Sequence, residues 1–155
     1  MQISKIETFS LLIPDFDSDA CSSAQDNLVV KISTDEGLFG FGETDTNPWA
    51  TKALLDSPGT HAMGRGFSDI LIGKDPRNVE GLWNEMNEKT MMTSRRGLGM
   101  CAIGALDMAL WDLCGKIYGQ PVWKLLGGSK KEFVTPYASL LPDGHTLKEY
   151  SDSLV

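Results

Sequence analysis

The stretch AIGALDMALWDLCGKIYGQPVWKLLGG, residues 102–128, determines more of the fold than any other part of the chain. Together with the residues just before it, it predicts one long helix over about 100–118, because its aliphatic side chains recur at the three- and four-residue spacing of a helix stripe. Alanine, methionine and tryptophan spread apolar surface over much of the remaining circumference, which is typical of a helix in the middle of a bundle. Gly119 is expected to end this helix, and Pro121 to begin a short final one.

Three strands are predicted upstream of this helix, at residues 2–13, 28–34 and 38–44. Between the second and the third, DEG (35–37) predicts a three-residue hairpin turn in which Gly37 has a positive φ angle. In the third strand Gly40 and Gly42 alternate with two phenylalanines, so one face of the strand carries no side chains. We expect another part of the chain to approach that face closely.

Helical patterns fill the segment between the strands and the long helix. A patchy region from about 49 to 72 is broken near Pro58, and a further helix is predicted with Asp75 as its N-cap and Pro76 as its first residue. Towards the C-terminal end, VTPYASL (134–140) is predicted to be one more strand. Thr146 and Glu149 then follow at the spacing of a capping box, which predicts the start of a last helix.

The chain of 155 residues carries a net charge of −7, which argues against a nucleic-acid-binding protein, because such proteins need an excess of lysine and arginine. Its three cysteines are odd in number and far apart, so neither a disulfide framework nor a paired metal site is predicted, and a reducing cytoplasm is expected. The opening residues MQISKIETF lack the apolar run of a signal peptide. No apolar stretch is judged long enough to cross a bilayer, so no membrane association is expected.

Asp107 is the charged residue whose position is most informative. On the predicted long helix it falls between Ile103 and Leu110, on the apolar face, where a carboxylate must be paired or hydrogen-bonded or else take up a proton. A catalytic role is one interpretation, and a structural acid paired to Arg95, Arg96 or backbone N–H groups is the other. The sequence otherwise shows no nucleophile–base pair, no metal cage and no phosphate-binding loop, so by its residues alone the chain fits a cap or a binding module.

Four stretches, in their order and spacing, resemble one family: TDEGLFGFGET (34–44), GKDP (73–76), the run at 102–128 and VTPYASL (134–140). They are similar to the N-terminal part of the mandelate racemase/muconate lactonizing enzyme group of the enolase superfamily. The run at 102–128 is specific, since a chance match of that length is implausible, and the resemblance covers nearly the whole chain. The residues that we interpret as structural are Gly37, Gly42, Asp107, Trp111 and Asp112.

The resemblance implies an α+β fold, in which a three-stranded antiparallel meander is followed by a helical bundle. Residues 1–128 would form an enolase-type N-terminal capping domain. Residues 129–155 would begin the catalytic (β/α) barrel, with VTPYASL as its first strand, so the chain would be a truncated fragment of a fold that typically needs about 250 residues for the barrel. Such barrels place their active site at the C-terminal ends of the strands.

The resemblance also implies the activity of the parent enzyme. Members of the family abstract a proton α to a carboxylate and stabilise the resulting enediolate on Mg²⁺. Their basic residues and metal-binding carboxylates lie on later barrel strands, so no catalytic residue and no metal ligand is expected in this chain, which alone should be inactive. The expected partners are the C-terminal barrel, a small carboxylate substrate and further copies in a homo-oligomer.

Two loops, at 15–26 and 44–50, would hang over the mouth of the barrel. The resemblance makes six of their residues candidates for substrate binding: Phe16, Asp17 and Asp19 in the first loop, and Asp45, Asn47 and Trp49 in the second. Tyr137 and Ser139 share one side of the predicted barrel strand, and Tyr137 is a candidate for contact with a substrate hydroxyl. The alternative for each residue is ordinary packing or solvation, for example Trp49 as a packing residue and Tyr137 as a seal between cap and barrel.

A polar first loop fits a hydroxylated substrate, because a polar site rejects analogues that leave its buried groups unpaired. We therefore expect the parent to be an acid-sugar dehydratase. Racemisation, epimerisation and muconate-type cycloisomerisation run on the same scaffold and stay open, since a fold does not select among them. A hypothesis of another class is a stand-alone, non-catalytic domain used for binding or oligomerisation.

Overall fold

The computed structural model describes residues 1–19, 25–128, 131, 133–137 and 146–152. The strands are β1 (Ile3–Leu12), β2 (Asp26–Thr34) and β3 (Phe39–Thr44). The helices are α1 (Pro48–Asp56), α2 (Phe67–Leu71), α3 (Val79–Lys89), α4 (Leu98–Tyr118), α5 (Val122–Leu125) and α6 (Leu147–Asp152). The predicted order of three strands followed by helices is therefore confirmed.

The three strands form one antiparallel sheet in the order β1-β2-β3. Its inner face is centred on β2, where Leu28, Val30 and Ile32 are fully buried and alternate with partly exposed residues. This is the period of two that a strand with one buried face requires. At the hairpin between β2 and β3, Gly37 has a φ angle of 85°, as its predicted turn position demands.

Helix α4 lies directly against the bare face of β3. A Cβ atom added to Gly42 would meet the carbonyl oxygen of Ala105 at 1.9 Å, and one added to Gly40 would meet that of Ala109 at 2.1 Å. Both distances are far inside van der Waals contact, so only glycine fits at either position. The predicted close approach is confirmed, and the approaching group is the backbone of α4; we call this contact the α4–β3 seam.

Two polar side chains of α4 occupy the open edge of β3. The carboxylate of Asp112 accepts a hydrogen bond of 2.8 Å from the backbone N–H of Phe41, and the ammonium group of Lys116 donates one of 2.8 Å to the carbonyl of Phe39. The same two side chains form an ion pair at 2.7 Å. Helix α4 thus supplies bonds that a fourth strand would otherwise make, which protects this edge from pairing with another chain. These contacts support the structural role predicted for Asp112.

The shorter helices complete the core above the inner face of the sheet. Helix α1 contributes Leu55, α2 contributes Phe67 and Ile70, and α3 contributes Leu82 and Met86, all of them buried. They pack with the aliphatic stripe of α4 in one continuous cluster, and Trp111 is half-buried against it. The sheet, the central helix and the outer helices therefore share a single hydrophobic core.

Helix α3 begins later than the sequence predicts. Asp75 and Pro76 were expected as its N-cap and first residue, whereas the helix starts at Val79 after Asn78. The carboxylate of Asp75 instead accepts hydrogen bonds from the guanidinium and the backbone N–H of Arg77, and these two interactions lower its pKa to about 2. A local turn closed by Asp75 and Arg77 therefore competes with the first turn of the helix.

Helix α4 has 21 residues and is long and apolar enough to cross a membrane by length and composition. The expectation that no stretch meets this test is wrong in that literal sense. Half of the apolar window is buried inside the fold, against β3 and the other helices. Its composition is accordingly that of a core helix with apolar residues on most sides. Gly119, with a φ angle of 61°, ends the helix as predicted.

The C-terminal part carries the predicted capping box but not the predicted strand over its described residues. The N–H of Thr146 donates to the carboxylate of Glu149 at 2.9 Å, and the N–H of Glu149 donates to the hydroxyl of Thr146 at 3.4 Å. Residues 134–137, the first part of VTPYASL, form no strand. A strand is held by a neighbour, and β1, β2 and β3 pair only with one another. Residues 138–140 lie outside the described part, so the barrel stays a prediction.

The α4–β3 seam predicts a sharp contrast between two glycine substitutions. Gly42→Ala should lower the free energy of unfolding by about 2–4 kcal/mol, because the new methyl group has to push α4 away from the sheet. Gly104→Ala is the control, since a Cβ at Gly104 meets nothing within 4 Å; it should be neutral or stabilising by up to about 1 kcal/mol. Urea unfolding of the 155-residue chain measures both. A loss below about 0.5 kcal/mol for Gly42→Ala would contradict the seam.

Candidate functional site

The two predicted substrate loops leave the sheet at the same end. Strands β1 and β3 both run antiparallel to β2, and the pairs Leu12–Asp26 and Leu28–Thr44 stand at one end of the sheet. The loop after β1 and the loop after β3 therefore both start there. We call this end the loop edge and the two segments the first loop and the second loop.

The described part of the first loop is held by a side-chain clamp. The side-chain oxygen of Gln25 accepts from the backbone N–H of Asp17 at 2.7 Å, and its amide group donates to the carbonyl of Asp17 at 2.8 Å. The carboxylate of Asp17 in turn accepts from the backbone N–H of Asp19 at 2.9 Å. Phe16 is 52% exposed beside them. The loop thus presents an exposed ring and two exposed carboxylates from a backbone fixed at its base.

The second loop ends in a capped helix. The side-chain oxygen of Asn47 accepts from the backbone N–H of Ala50 at 3.0 Å, which makes Asn47 the N-cap of α1, and Pro48 follows at the first helical position. Trp49 is 53% exposed, and Asp45 is also exposed. Asn47 is predicted from the sequence as a residue near substrate, whereas its observed role is to cap α1, a role for which Asn-Pro before a helix is a recognised signal.

Asn27 and Glu43 form a further polar pair at the loop edge, which is not predicted from the sequence. The amide of Asn27 donates to the carboxylate of Glu43 at 2.5 Å across β2 and β3. The amide oxygen of Asn27 is buried and has no hydrogen-bond partner among the described residues. The available signal was a polar residue at the start of one strand and another at the end of its neighbour.

Arg95 and Arg96 also lie towards this end of the molecule. Along the seam, the step from Gly40 to Gly42 on β3 runs in the same direction as the step from Ala109 to Ala105 on α4, because the strand and the helix are antiparallel. Two strand residues beyond Gly42, about 6.6 Å further, lies Thr44. Four helical residues beyond Ala105, about 6 Å further, lies Cys101, so Thr44 and Cys101 are level with each other. The start of α4 is therefore level with the start of the second loop, and Arg95 and Arg96 lie just before α4 in the chain. Both arginines are exposed.

Tyr137 and Ser139 are not brought to the loop edge by the described structure. Tyr137 is 88% exposed in a segment without strand structure. Ser139 lies outside the described residues. Their predicted common side on a barrel strand therefore stays a prediction.

Asp107 has no partner among the described residues. The expected pairing with Arg95 or Arg96 is wrong, because Asp107 makes no hydrogen bond or ion pair with either of them. Its half-buried position on α4 removes water from the carboxylate, and this desolvation raises its pKa. Its helical position faces away from the seam, so it is not one of the α4 side chains that bond to the edge of β3.

The described part of the chain offers no group of three histidine, cysteine or acidic side chains that could hold a metal ion. The exposed carboxylates of the loop edge, at Asp17, Asp19 and Asp45, belong to different loops or to local turns. Among the described residues the loop edge has the features of a recognition surface: exposed aromatic rings, carboxylates, an asparagine amide and two arginines.

Comparison with known proteins gives the same family as the sequence motifs. The family model described as mandelate racemase/muconate lactonizing enzyme, N-terminal domain, matches residues 15–127. A D-galactonate dehydratase family member of Marinomonas sp. is 41% identical over 113 residues, which are 72% of this chain and 26% of that protein. The D-galactarolactone cycloisomerase of Agrobacterium fabrum is 34% identical over 113 residues, 73% of this chain and 28% of that protein.

A solved structure shares the fold as well. The 3,6-anhydro-D-galactonate cycloisomerase from Zobellia galactanivorans is similar with a TM-score of 0.71 and 34% identity, over 88% of this chain and 35% of that one. The capping-domain fold predicted from the sequence is thereby confirmed. The chain spans about a quarter of the length of the curated relatives that it matches.

The unpartnered carboxylate of Asp107 predicts an unusual gain in stability. Asp107→Asn should raise the free energy of unfolding at pH 7 by up to about 1 kcal/mol, because the charged form is desolvated without compensation. Because the pKa of Asp107 is raised in the folded state, ionisation of its carboxyl group as the pH rises lowers the free energy of unfolding. The gain should therefore be full at neutral pH and should vanish below the ordinary aspartate pKa of about 3.9.

Asp112→Asn is the control for this experiment, since it lies on the same helix but loses the ion pair with Lys116 and keeps only a weaker, uncharged acceptor for the N–H of Phe41. It should be destabilised by about 1–2 kcal/mol. Urea unfolding between pH 3.5 and 8 separates the two variants. A loss of stability in Asp107→Asn at pH 7 would show that the carboxylate has a partner in solution.

Proposed function

The chain belongs to the mandelate racemase/muconate lactonizing enzyme family through its N-terminal domain, and from this premise we propose that residues 1–128 cap the active site of an enzyme that acts on a sugar acid. In this proposal residues 129–155 begin the catalytic barrel. The enzyme works in the cytoplasm as a homo-oligomer. The reacting groups are supplied by the barrel, and the cap supplies recognition and closure.

The observation that carries the proposal is the common origin of the two loops at one edge of the sheet. Both loops present an exposed aromatic ring, Phe16 or Trp49, next to exposed carboxylates. Rings of this kind suit the exclusion of water from a covered cavity, and carboxylates accept hydrogen bonds from hydroxyl groups. The combination favours a polyhydroxylated substrate beneath the cap.

The proposed reaction is the dehydration of an acid sugar. A base removes the proton α to the carboxylate, the electron pair of that bond forms a carbon–carbon double bond, and the β-hydroxyl leaves with a proton as water. The enol product then tautomerises to an α-keto acid. Mg²⁺, when bound, would stabilise the enediolate. The described residues do not fit such an ion, so in this proposal its ligands lie outside them.

Within this reaction the cap residues bind and orient the substrate. The side-chain oxygen of Asn47 is held by α1, which leaves its amide N–H groups to donate to a substrate oxygen. Asp17, Asp19 and Asp45 are proposed to accept from substrate hydroxyls. Tyr137 and Ser139 are proposed to reach the substrate from the first barrel strand.

Cycloisomerisation is the second candidate. Two of the similar proteins are named as cycloisomerases, D-galactarolactone cycloisomerase and 3,6-anhydro-D-galactonate cycloisomerase. Both names describe acid sugars or their lactones, so the recognition surface proposed for the cap serves either reaction. The two reactions differ in their products, since only dehydration removes a molecule of water.

A full-length protein that contains this chain should convert a member of a panel of sugar acids to an α-keto acid with loss of one water. Mass spectrometry detects the change, and solvent deuterium appears at the carbon next to the keto group. The 155-residue chain alone is the control and should exchange no α-proton above a buffer blank. A product of unchanged mass would select an isomerisation, either cycloisomerisation or epimerisation, and no turnover of any sugar acid or lactone would contradict the proposed function.

Asn47→Asp should separate the two roles of this residue in the full-length protein. Aspartate keeps the N-cap, so the free energy of unfolding should change by less than about 0.5 kcal/mol, whereas Asn47→Ala should lose about 1 kcal/mol. Because Asn47→Asp loses the amide donor, it should change the ranking of kcat/KM among sugar-acid epimers. If all substrates fall by one common factor, Asn47 only caps the helix.

A further inference from the structure

Ion pairs engage most of the positive charges in the cap. Within the described part of residues 1–128, every lysine and arginine is ion-paired to a carboxylate except Arg65, Arg95, Arg96 and Lys124. Lys124 lies over the ring of Trp123. Two of the three arginines without an acidic partner are therefore adjacent in sequence, in a chain whose net charge is −7.

The adjacent pair lies level with the second loop. The register of the α4–β3 seam puts the start of α4 level with the end of β3, and the two arginines lie just before α4 in the chain. Arg95 and Arg96 are both exposed. They therefore reach solvent at the end of the molecule from which both loops start.

The charged residues described in the two loops and at the adjacent end of β3 are all negative. Asp17, Asp19, Glu43 and Asp45 are exposed there. An anionic group entering this region meets repulsion unless a cation faces it, and a carboxylate that leaves water for a covered site has to be paired. Arginine suits this task, because its planar guanidinium binds a carboxylate through two parallel hydrogen bonds.

We propose that Arg95 and Arg96 recognise a second carboxylate on the substrate, so that the substrate class is the sugar diacids. This inference rests on the proposed function, in which the reacting carboxylate is handled by the barrel and the cap meets the remote end of the substrate. The acidic residues of the loops bind the hydroxyls of the sugar chain, and the arginine pair binds its far terminus. A monoacid, which ends in a hydroxyl, leaves both guanidinium groups unpaired.

The first test uses the 155-residue chain labelled with ¹⁵N and three probes of one configuration: galactarate, galactonate and galactitol. Galactarate should shift the resonances of Arg95 and Arg96 and of the second loop in a saturable manner. Galactonate should shift the same resonances with similar affinity, because its single carboxylate is free to reach the arginines when the barrel is absent, and galactitol should cause no shift. The double variant Arg95→Gln/Arg96→Gln should lose the response, whereas Arg65→Gln, which removes a third unpaired arginine, should retain it.

The second test measures the full-length protein on hexaric acids, each matched with the hexonic acid of the same configuration. The ratio of kcat/KM for diacid over monoacid should fall at least tenfold in the double arginine variant and stay unchanged in Arg65→Gln. If the enzyme turns over sugar acids but the double variant leaves the diacid-to-monoacid ratio of kcat/KM unchanged, the inference is overturned. The proposed function would still stand. Shifts in the first test that do not saturate, that galactitol also causes, or that survive the double variant would also overturn the inference.

Discussion

The contact on which the rest of the structure depends is the one between two glycines of β3 and the backbone of α4. Two strand residues advance about 6.6 Å and four helical residues about 6 Å, so Gly40 and Gly42 meet successive turns of the helix at nearly the same relative position. This match lets a strand and a helix lie antiparallel at backbone distance over several residues. It fixes the sheet on the central helix, and thereby the direction in which both loops leave the sheet.

The two loops at the loop edge are ordered by local hydrogen bonds. Gln25 closes the base of the first loop on Asp17, and Asn47 anchors the second loop by capping α1. A recognition surface held in this way loses less conformational entropy when it meets a ligand, because its backbone is already fixed. These contacts therefore have separate roles. The α4–β3 seam positions the two loops, the helix cap and the side-chain clamp fix their backbone, and the exposed rings and charges are left for recognition.

The sequence was most informative where one residue type answers one steric demand. The bare face of β3 predicted a close neighbour, Gly37 predicted the hairpin turn, and Gly119 predicted the end of α4. In each case a side chain would be excluded or strained. The family resemblance, read from the run at 102–128, gave the domain. Prediction failed where two local bonds compete, as at Asp75, which closes a turn with Arg77 rather than capping α3.

The site was harder to predict than the fold for the same kind of reason. A helical wheel places Asp107 on an apolar face but does not say whether Arg95 or Arg96 can reach it, since that depends on where the chain before α4 turns. The capping bond of Asn47 and the pair between Asn27 and Glu43 depend on exact helix and strand ends, which periodicity locates only to within a few residues.

The seam has one further property, which follows from its regularity. Because the strand and helix repeats nearly coincide, sliding α4 by one whole turn would again bring one turn of the helix opposite each glycine. What distinguishes the native alignment is the polar pair at the edge. After a slip of one turn in one direction, the amide of Phe41 would face Met108 and the carbonyl of Phe39 would face the carboxylate of Asp112; in the other direction, Lys116 would face an N–H group. The bonds of Asp112 and Lys116 to β3 are thus satisfied in the native alignment only. They select it from the alignments that the glycine contacts alone would tolerate.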